Sequence, residues 1–287
     1  MKGSDKTKGS VFRHYQRFFT RWKDGRSFSK EKITVILSPH LDDVFLSLNE
    51  HISSGALGKN IVCINFFTSS DSQVDTKTAL SFASVSRVTK MRSAEELGFA
   101  DYLSRKGVNY IPLFLGMQDA ALSGYYKFIA TTVMGKMPKL PLVKTLLTKT
   151  QETRIEKEYE RLQIQEMAKT LLARFGKNVD KVLIPMGVGE HIDHILVSKL
   201  ATKLTGKGRV GVYCDIPYAY YSGFKTAAQL HMHVPKGFDS ASVKKFDAKE
   251  RIGLFKKLYP SQYDKGADNA IEAVAKMPGE VIFWRNR

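Results

Sequence analysis

Cysteine is scarce in this chain of 287 residues: Cys63 and Cys214 are the only two, they lie in apolar segments 151 positions apart, and nothing in that spacing pairs them. A disulfide framework is excluded, and the expectation is two buried, reduced thiols in a reducing compartment. Long apolar runs are missing as well. The most apolar extended stretch, residues 128–147, is broken by Lys136, Lys139 and Lys144 and by Pro138 and Pro141, which a membrane-spanning helix does not tolerate together. The first ten residues carry charge with no apolar run behind it, so no secretory signal is read there. The expected location is cytoplasmic, with peripheral contact to an anionic membrane surface as the alternative. Acid is short too: 28 Asp and Glu against 45 Lys and Arg give a net charge of +17, which points to an anionic partner or substrate. The bases are scattered, and no zinc-finger spacing, aromatic ribonucleoprotein motif or helix-turn-helix signature accompanies them, so nucleic acid is not expected as a partner.

What is present is a globular composition, with 43% apolar and 25% charged residues, enough for one large domain with attachments. Residues 1–31 hold nine bases against three acids, with Phe12, Tyr15, Phe18, Phe19 and Trp22 at helical intervals. That is a basic aromatic arm, suited either to packing on the domain body or to an anionic membrane. From residue 32 to 287 the pattern reads as a single domain. The β-branched run from Ile33 to Ser38, a helix from about Asp43 to Ser54 and a second strand from Ile61 form a βαβ unit. Further strands are expected at 109–113, 182–185, 210–214 and 281–284, and helices at 81–97, 152–175, 193–204 and 249–258. The fold class is α/β, an open, mostly parallel, Rossmann-like sheet with helices on both faces. One stretch breaks the rhythm: residues 120–151 contain five lysines and no acid, an insertion long enough to suggest a functional loop.

Two clusters carry chemistry. Ser38-Pro39-His40-Leu41-Asp42-Asp43 stands where the first strand ends and its helix begins, and Gly187-Val-Gly-Glu190-His191-Ile192-Asp193-His194 follows the strand 182–185. In an open α/β sheet the carboxyl ends of the strands line the ligand crevice. Either cluster alone also reads as helix capping or a solvated helix start. Together they offer His40, Asp43 and His194 as a set of two imidazoles and one carboxylate able to hold a catalytic metal with an open position. Asp42 and His191 remain for acid–base work, with Asp193 beside them to set a histidine tautomer.

These motifs resemble the LmbE-like or PIG-L superfamily of N-acetylglucosaminyl de-N-acetylases. The family's His-Pro-Asp-Asp-Glu is matched by His40-Leu41-Asp42-Asp43-Val44, and its His-x-Asp-His by His191-Ile192-Asp193-His194. Weaker echoes are Arg87 with Leu97-Gly98, Asp119, Asp215-Ile-Pro-Tyr218, residues 257–262 and the closing 280–284. The resemblance implies a zinc-dependent hydrolysis of the acetamide of an N-acetylglucosamine-type conjugate. In it His40, Asp43 and His194 bind zinc, Asp42 is the base, and His191, oriented by Asp193, stabilises the oxyanion or helps protonate the amine; iron(II) is the alternative metal, because a set of two histidines and one carboxylate accepts both. Arg87, Asp119 and Tyr218 are the residues expected to hold the sugar. Leu41 and Val44 depart from the first motif, and Lys90 stands where a glutamate often follows the helix arginine by three positions. The positive charge suits a conjugate carrying phosphate, or one linked to lipid. The alternatives are a metal-dependent hydrolase of another acyl or ester bond, and a non-catalytic basic binding module on the same fold.

Overall fold

The computed structural model describes residues 31–70, 82–120, 151–189, 191–204, 209–263, 265–277 and 279–285. The basic arm apart from Glu31, and the lysine-rich insertion apart from Ala120 and Gln151, lie outside the described residues. No helix among those described is long and apolar enough to cross a membrane.

The chain runs β1 (Ile33–Ser38), α1 (Asp43–Ser53), β2 (Asn60–Asn65), α2 (Phe82–Arg105), β3 (Asn109–Phe114), α3 (Gln151–Phe175), β4 (Val179–Pro185) and α4 (Ile192–Ser198). It continues with β5 (Arg209–Tyr213), α5 (Tyr218–Tyr221), α6 (Ala227–His231), β6 (Ser240–Lys244), α7 (Ala248–Leu258), α8 (Lys265–Lys276) and β7 (Glu280–Trp284). The strands form one seven-stranded sheet in the order β3-β2-β1-β4-β5-β7-β6. Pairing is parallel from β3 through β5, and β7 and β6 add on antiparallel. Strand alternation sorts β1 onto two cores. Ile33, Val35 and Leu37 face a layer with Ile164 and Ala168 of α3 and Leu196 and Val197 of α4. Ile36 faces Phe45 and Leu48 of α1, Phe99 of α2, Phe255 of α7 and Ile271 of α8. Each large apolar side chain so buried contributes roughly 1.5–3 kcal/mol. Helices thus cover both faces of a mostly parallel sheet, as the sequence pattern leads one to expect.

The differences from that pattern have local causes. The second helix does not end at Leu97, because Phe99 and Leu103 beyond Gly98 are fully buried and carry it on to Arg105. A glycine inside a helix costs only about 1 kcal/mol, and the chain turns instead at Gly107, with φ +79°. The expected helix 193–204 is α-helical only to Ser198 and then tightens into a 3₁₀ turn over Lys199–Thr202.

One feature of the topology places the site. From β1 the chain moves outward through β2 to β3, whereas from β4 it moves the opposite way to β5. The order reverses between the adjacent strands β1 and β4, and ligands bind outside the carboxyl ends of the strands at such a switch point. His40 to Asp43 follow β1, and His191 to His194 follow β4.

Candidate metal and hydrolytic site

Three side-chain atoms converge at the switch point. Asp43 Oδ2 lies 3.3 Å from His40 Nδ1 and 3.3 Å from His194 Nε2, and the two ring nitrogens are themselves 3.3 Å apart. All three residues are buried. Asp43 is the first residue of α1, where the helix dipole favours its charge, and it is fixed from behind because the His40 backbone N–H donates to Oδ2 at 2.7 Å.

The outer nitrogen of each histidine is fastened to a carboxylate. His40 Nε2 lies 3.0 Å from Asp193 Oδ2, and His194 Nδ1 lies 2.7 Å from Asp215 Oδ1. Asp193 Oδ2 also accepts from the Ala120 N–H at 2.9 Å, and Asp215 Oδ2 accepts from Gly187 N at 2.7 Å and Val188 N at 3.2 Å. Gly187 is at φ +74°, and a Cβ there would meet Ser198 Oγ at 2.5 Å, so a glycine is needed to present that N–H. With the outer nitrogens donating to carboxylates, the inner ones turn their lone pairs toward Asp43. Three acceptors then face one point, an arrangement that calls for positive charge between them.

The pKa values express that demand. Burial alone would lower that of His40, but the hydrogen bonds to Asp193 and Asp43 raise it to about 9. For His194 burial is likewise outweighed, by the charge of Asp43 and the hydrogen bond to Asp215, and the value rises to about 10. Burial would raise Asp43, yet the two histidines hold its carboxyl well below the usual range.

A metal fits the same geometry. In a tetrahedral site with bonds of about 2.0–2.1 Å, neighbouring ligand atoms stand about 3.3 Å apart, the edge length of the Asp43–His40–His194 triangle. His191 offers a nitrogen within 4.8 Å of those of His40 and His194, which brings it close without making it part of the tight triangle. Its ring packs edge-on to His40 at 4.8 Å and tilted to Tyr218 at 5.4 Å. Burial and the positive neighbours His40 and His194 push its pKa down to about 3, so it is neutral at pH 7. A cation in the triangle would act on it with the same sign.

Asp42 is the N-cap residue of α1, but its side chain makes no capping bond. Instead Arg92 of α2 donates from Nη2 to Asp42 Oδ1 at 3.1 Å and from Nη1 to Ser70 Oγ at 2.9 Å, with Asp119 Oδ2 3.9 Å from Nη1. A cavity of about 220 Å³ opens on these groups, lined by His40, Asp42, Asp43, Arg92, Asp119 and His191, with Leu46, Tyr218, Tyr221, Phe255 and Gln262 on its remaining walls.

Sequence reasoning and structure part at three places. Arg87 is exposed and does not line the cavity. Arg92, five positions on and therefore about 140° around the helix, occupies that place. Glu95 follows this arginine by three positions, and Lys90 is exposed. Asp193 serves His40 rather than His191, since its Oδ2 is held between His40 and Ala120. Asp215, noted in the sequence only as an outer echo, holds His194. The signal that could have found it is an acid just beyond β5, the strand next to β4, at the same sheet edge.

No family model matches the chain, and no curated protein matches it either. Solved structures do. The deacetylase of teicoplanin biosynthesis, crystallised as a bog complex, superposes with a TM-score of 0.58 at 18% identity over 89% of this chain and 98% of its own. Its complex with teicoplanin gives 0.54 at 17% identity over 89% and 100%. The N,N'-diacetylchitobiose deacetylase from Pyrococcus horikoshii superposes more loosely, at 0.46 and 11% identity over 91% and 84%. At these identities the likeness establishes the fold, over nearly the whole length of the first two.

Proposed function

We propose that this protein is a metal-dependent amidohydrolase of the LmbE/PIG-L type, which removes the acetyl group from an N-acetylglucosamine-type conjugate to give the free amine and acetate. The observation that carries this reading is the triangle of His40, Asp43 and His194 with Asp42 and His191 beside it in one cavity. The two motifs resemble those of the de-N-acetylases, and the shared fold with the teicoplanin-pathway deacetylase supports the assignment.

His40, Asp43 and His194 are the residues that would hold zinc, or iron(II), which the same ligand set accepts. Bound there, such an ion supplies Lewis-acid polarisation of the acetamide carbonyl and a water of lowered pKa. The chain's own groups complete the chemistry. Arg92 engages Oδ1 of Asp42 and so orients Oδ2 as the base that takes a proton from the attacking water. As the water oxygen bonds to the carbonyl carbon, negative charge grows on the carbonyl oxygen. His191, neutral and partly buried, serves it as an N–H donor. The C–N bond then breaks and the proton passes to the departing nitrogen, leaving acetate and an amine. Asp193 and Asp215 fix the histidine rings, and Arg92 and Asp119 offer donors and acceptors to sugar hydroxyls, with Tyr218 as an adjoining wall. The net charge of +17 favours a conjugate that carries phosphate, whether free or on a lipid.

Metal analysis of the purified protein, paired with acetate release from neutral and phosphate-linked N-acetylglucosaminides, tests this. About one zinc or iron per chain with acetate release supports the reading, and faster turnover of the phosphate-linked members supports the anionic conjugate. Metal without acetate points to another acyl or ester bond. A chain that takes up no metal leaves a basic binding module.

A further inference from the structure

Helix α2 lends two more carboxylates to the architecture of the cavity, and neither takes part in the chemistry above. Glu95 and Glu96 are both buried. Glu96 accepts from Tyr110 and Tyr259 hydroxyls, each at 2.6 Å, which ties α2 to β3 and to the end of α7. Glu95, one turn from Arg92, accepts from Ser261 twice, from its backbone N–H at 2.9 Å and from its hydroxyl at 2.6 Å. Ser261 and Gln262 form the turn between α7 and α8, closed by Gln262 N donating to Tyr259 O at 3.0 Å. Gln262 lines the cavity together with Asp42 and Arg92.

The hydrogen bonds also set which way the Gln262 amide lies. The single proton of the Ser261 hydroxyl goes to Glu95, so Ser261 Oγ can only accept from Gln262, and Nε2 of Gln262 stands 3.0 Å from it. One turn of α2 therefore fixes both sides of the cavity: Arg92 engages the base Asp42, and Glu95, through Ser261, fixes the turn that carries Gln262. Two carboxylate oxygens on one serine form a rigid clamp, and a clamp of that kind on a cavity wall suits a contact whose placement matters.

Resting on the amidohydrolase reading above, we infer that Gln262 contacts a ring hydroxyl of the bound amino sugar and sets selectivity for it, and that Glu95 is the positioning residue that holds Gln262 through Ser261. The chemical fit is that of an amide, donor and acceptor at once, to a hydroxyl that is the same. The bond is made to the sugar and not to the acetamide, so it discriminates between a sugar and a truncated amide.

The test measures binding of N-acetylglucosamine to the purified full chain by calorimetry and, separately, acetate release from N-acetylglucosamine and from N-methylacetamide. Gln262→Ala is expected to weaken sugar binding about tenfold, the effect of one lost polar contact of ordinary strength, and to lower acetate release from N-acetylglucosamine more than from N-methylacetamide. Glu95→Ala should weaken sugar binding similarly, and Glu95→Ala combined with Gln262→Ala should be no weaker than Gln262→Ala alone, because one acts through the other. Glu95→Gln keeps an acceptor for the Ser261 N–H and should retain most of the affinity, which keeps the comparison valid if Glu95→Ala folds poorly. Equal sugar binding by Gln262→Ala and the wild type overturns the inference while acetate release leaves the hydrolase reading intact. Additive losses in the double variant overturn the positioning role of Glu95. Sugar binding that is lost in Gln262→Ala, in a protein that releases no acetate, supports the contact and counts against the hydrolase. A wild type that does not bind the sugar overturns both.

Discussion

His40 Nδ1 and His194 Nε2 lie 3.3 Å apart, while the far nitrogen of each ring meets its own carboxylate, Asp193 for one and Asp215 for the other. Each imidazole follows a different strand end, His40 after β1 and His194 after β4. The two carboxylates are what aim them. His40→Ala or His194→Ala should therefore abolish stoichiometric metal binding. Asp215→Asn, which keeps shape but turns one acceptor into a donor facing the Gly187 and Val188 N–H groups, should leave the ligands present and weaken metal affinity by roughly 10–100-fold, the usual effect of an outer partner. Chelator competition followed by metal analysis of the variants checks both, and an Asp215→Asn protein with unchanged affinity would show that the outer pair is dispensable.

Asp42 and Asp43 are neighbours in sequence with different fates. Asp43 turns back to the His40 N–H and the triangle, whereas Asp42 faces the cavity and is held by Arg92 at 3.1 Å. Asp42→Asn should keep a full complement of metal and lose turnover by roughly 10²–10⁴-fold, the range of a general base. The diagnostic measurement is metal content and kcat on the same preparation. Loss of metal in this variant would move Asp42 into the ligand set.

His191 separates two roles by its ionisation. Partly buried beside His40 and His194, with its pKa pushed down to about 3, it is uncharged across the neutral range. His191→Ala should retain metal and lose turnover. The wild-type pH–rate profile from pH 5 to 8 should show no limb that His191→Ala removes, because a group titrating near 3 does not change state there. An acid limb near pH 6–7 that vanishes in His191→Ala would instead make it a proton donor in its cationic form.

The sheet and the location of the site are legible in the sequence because both rest on strong local signals. Runs such as Ile33 to Ser38 are β-branched and bounded, and the two histidine–aspartate clusters sit directly at strand ends. What is hidden depends on which face of an element ends up inside. Arg87 and Arg92 lie on one helix with similar surroundings in sequence, and only packing shows that Arg92 points to the cavity. The helix Lys265–Lys276 escapes notice because several of its inward positions are small, with Ala267 and Ala270 beside Ile271 and Val274. The strand Ser240–Lys244 escapes notice because it is a largely exposed edge, with Val243 as its one large apolar residue. The Asp215–His194 pair joins residues 21 positions apart on neighbouring strand ends, a relation that only the sheet order reveals.

Far from the cavity chemistry, Glu280 at the start of β7 accounts for an acid-sensitive joint. Its carboxylate is fully buried and accepts from the Glu50 and His51 N–H groups, from His51 Nδ1 at 3.1 Å and from Arg251 Nη2 at 2.6 Å. It thereby fastens the antiparallel end of the sheet to α1 and α7. Burial would raise its pKa, but the Arg251 charge and the His51 bond outweigh that and hold it below the ordinary value of 4.5. A carboxyl depressed in the folded state contributes stability that is fully present above its unfolded pKa and is lost as pH falls through the folded one. The contribution should therefore be intact at pH 6 and above and should fall away below about pH 4.5. Glu280→Ala removes the nearer of two carboxylates from the buried Arg251, leaving Glu50 at 3.3 Å, and should destabilise the protein by about 3 kcal/mol at pH 7, the low end for breaking a buried pair. Urea unfolding at pH 7 and at pH 4 for both proteins measures this directly. The gap between wild type and variant should narrow at the lower pH, and a gap that stays constant would mean that Glu280 acts through packing rather than charge.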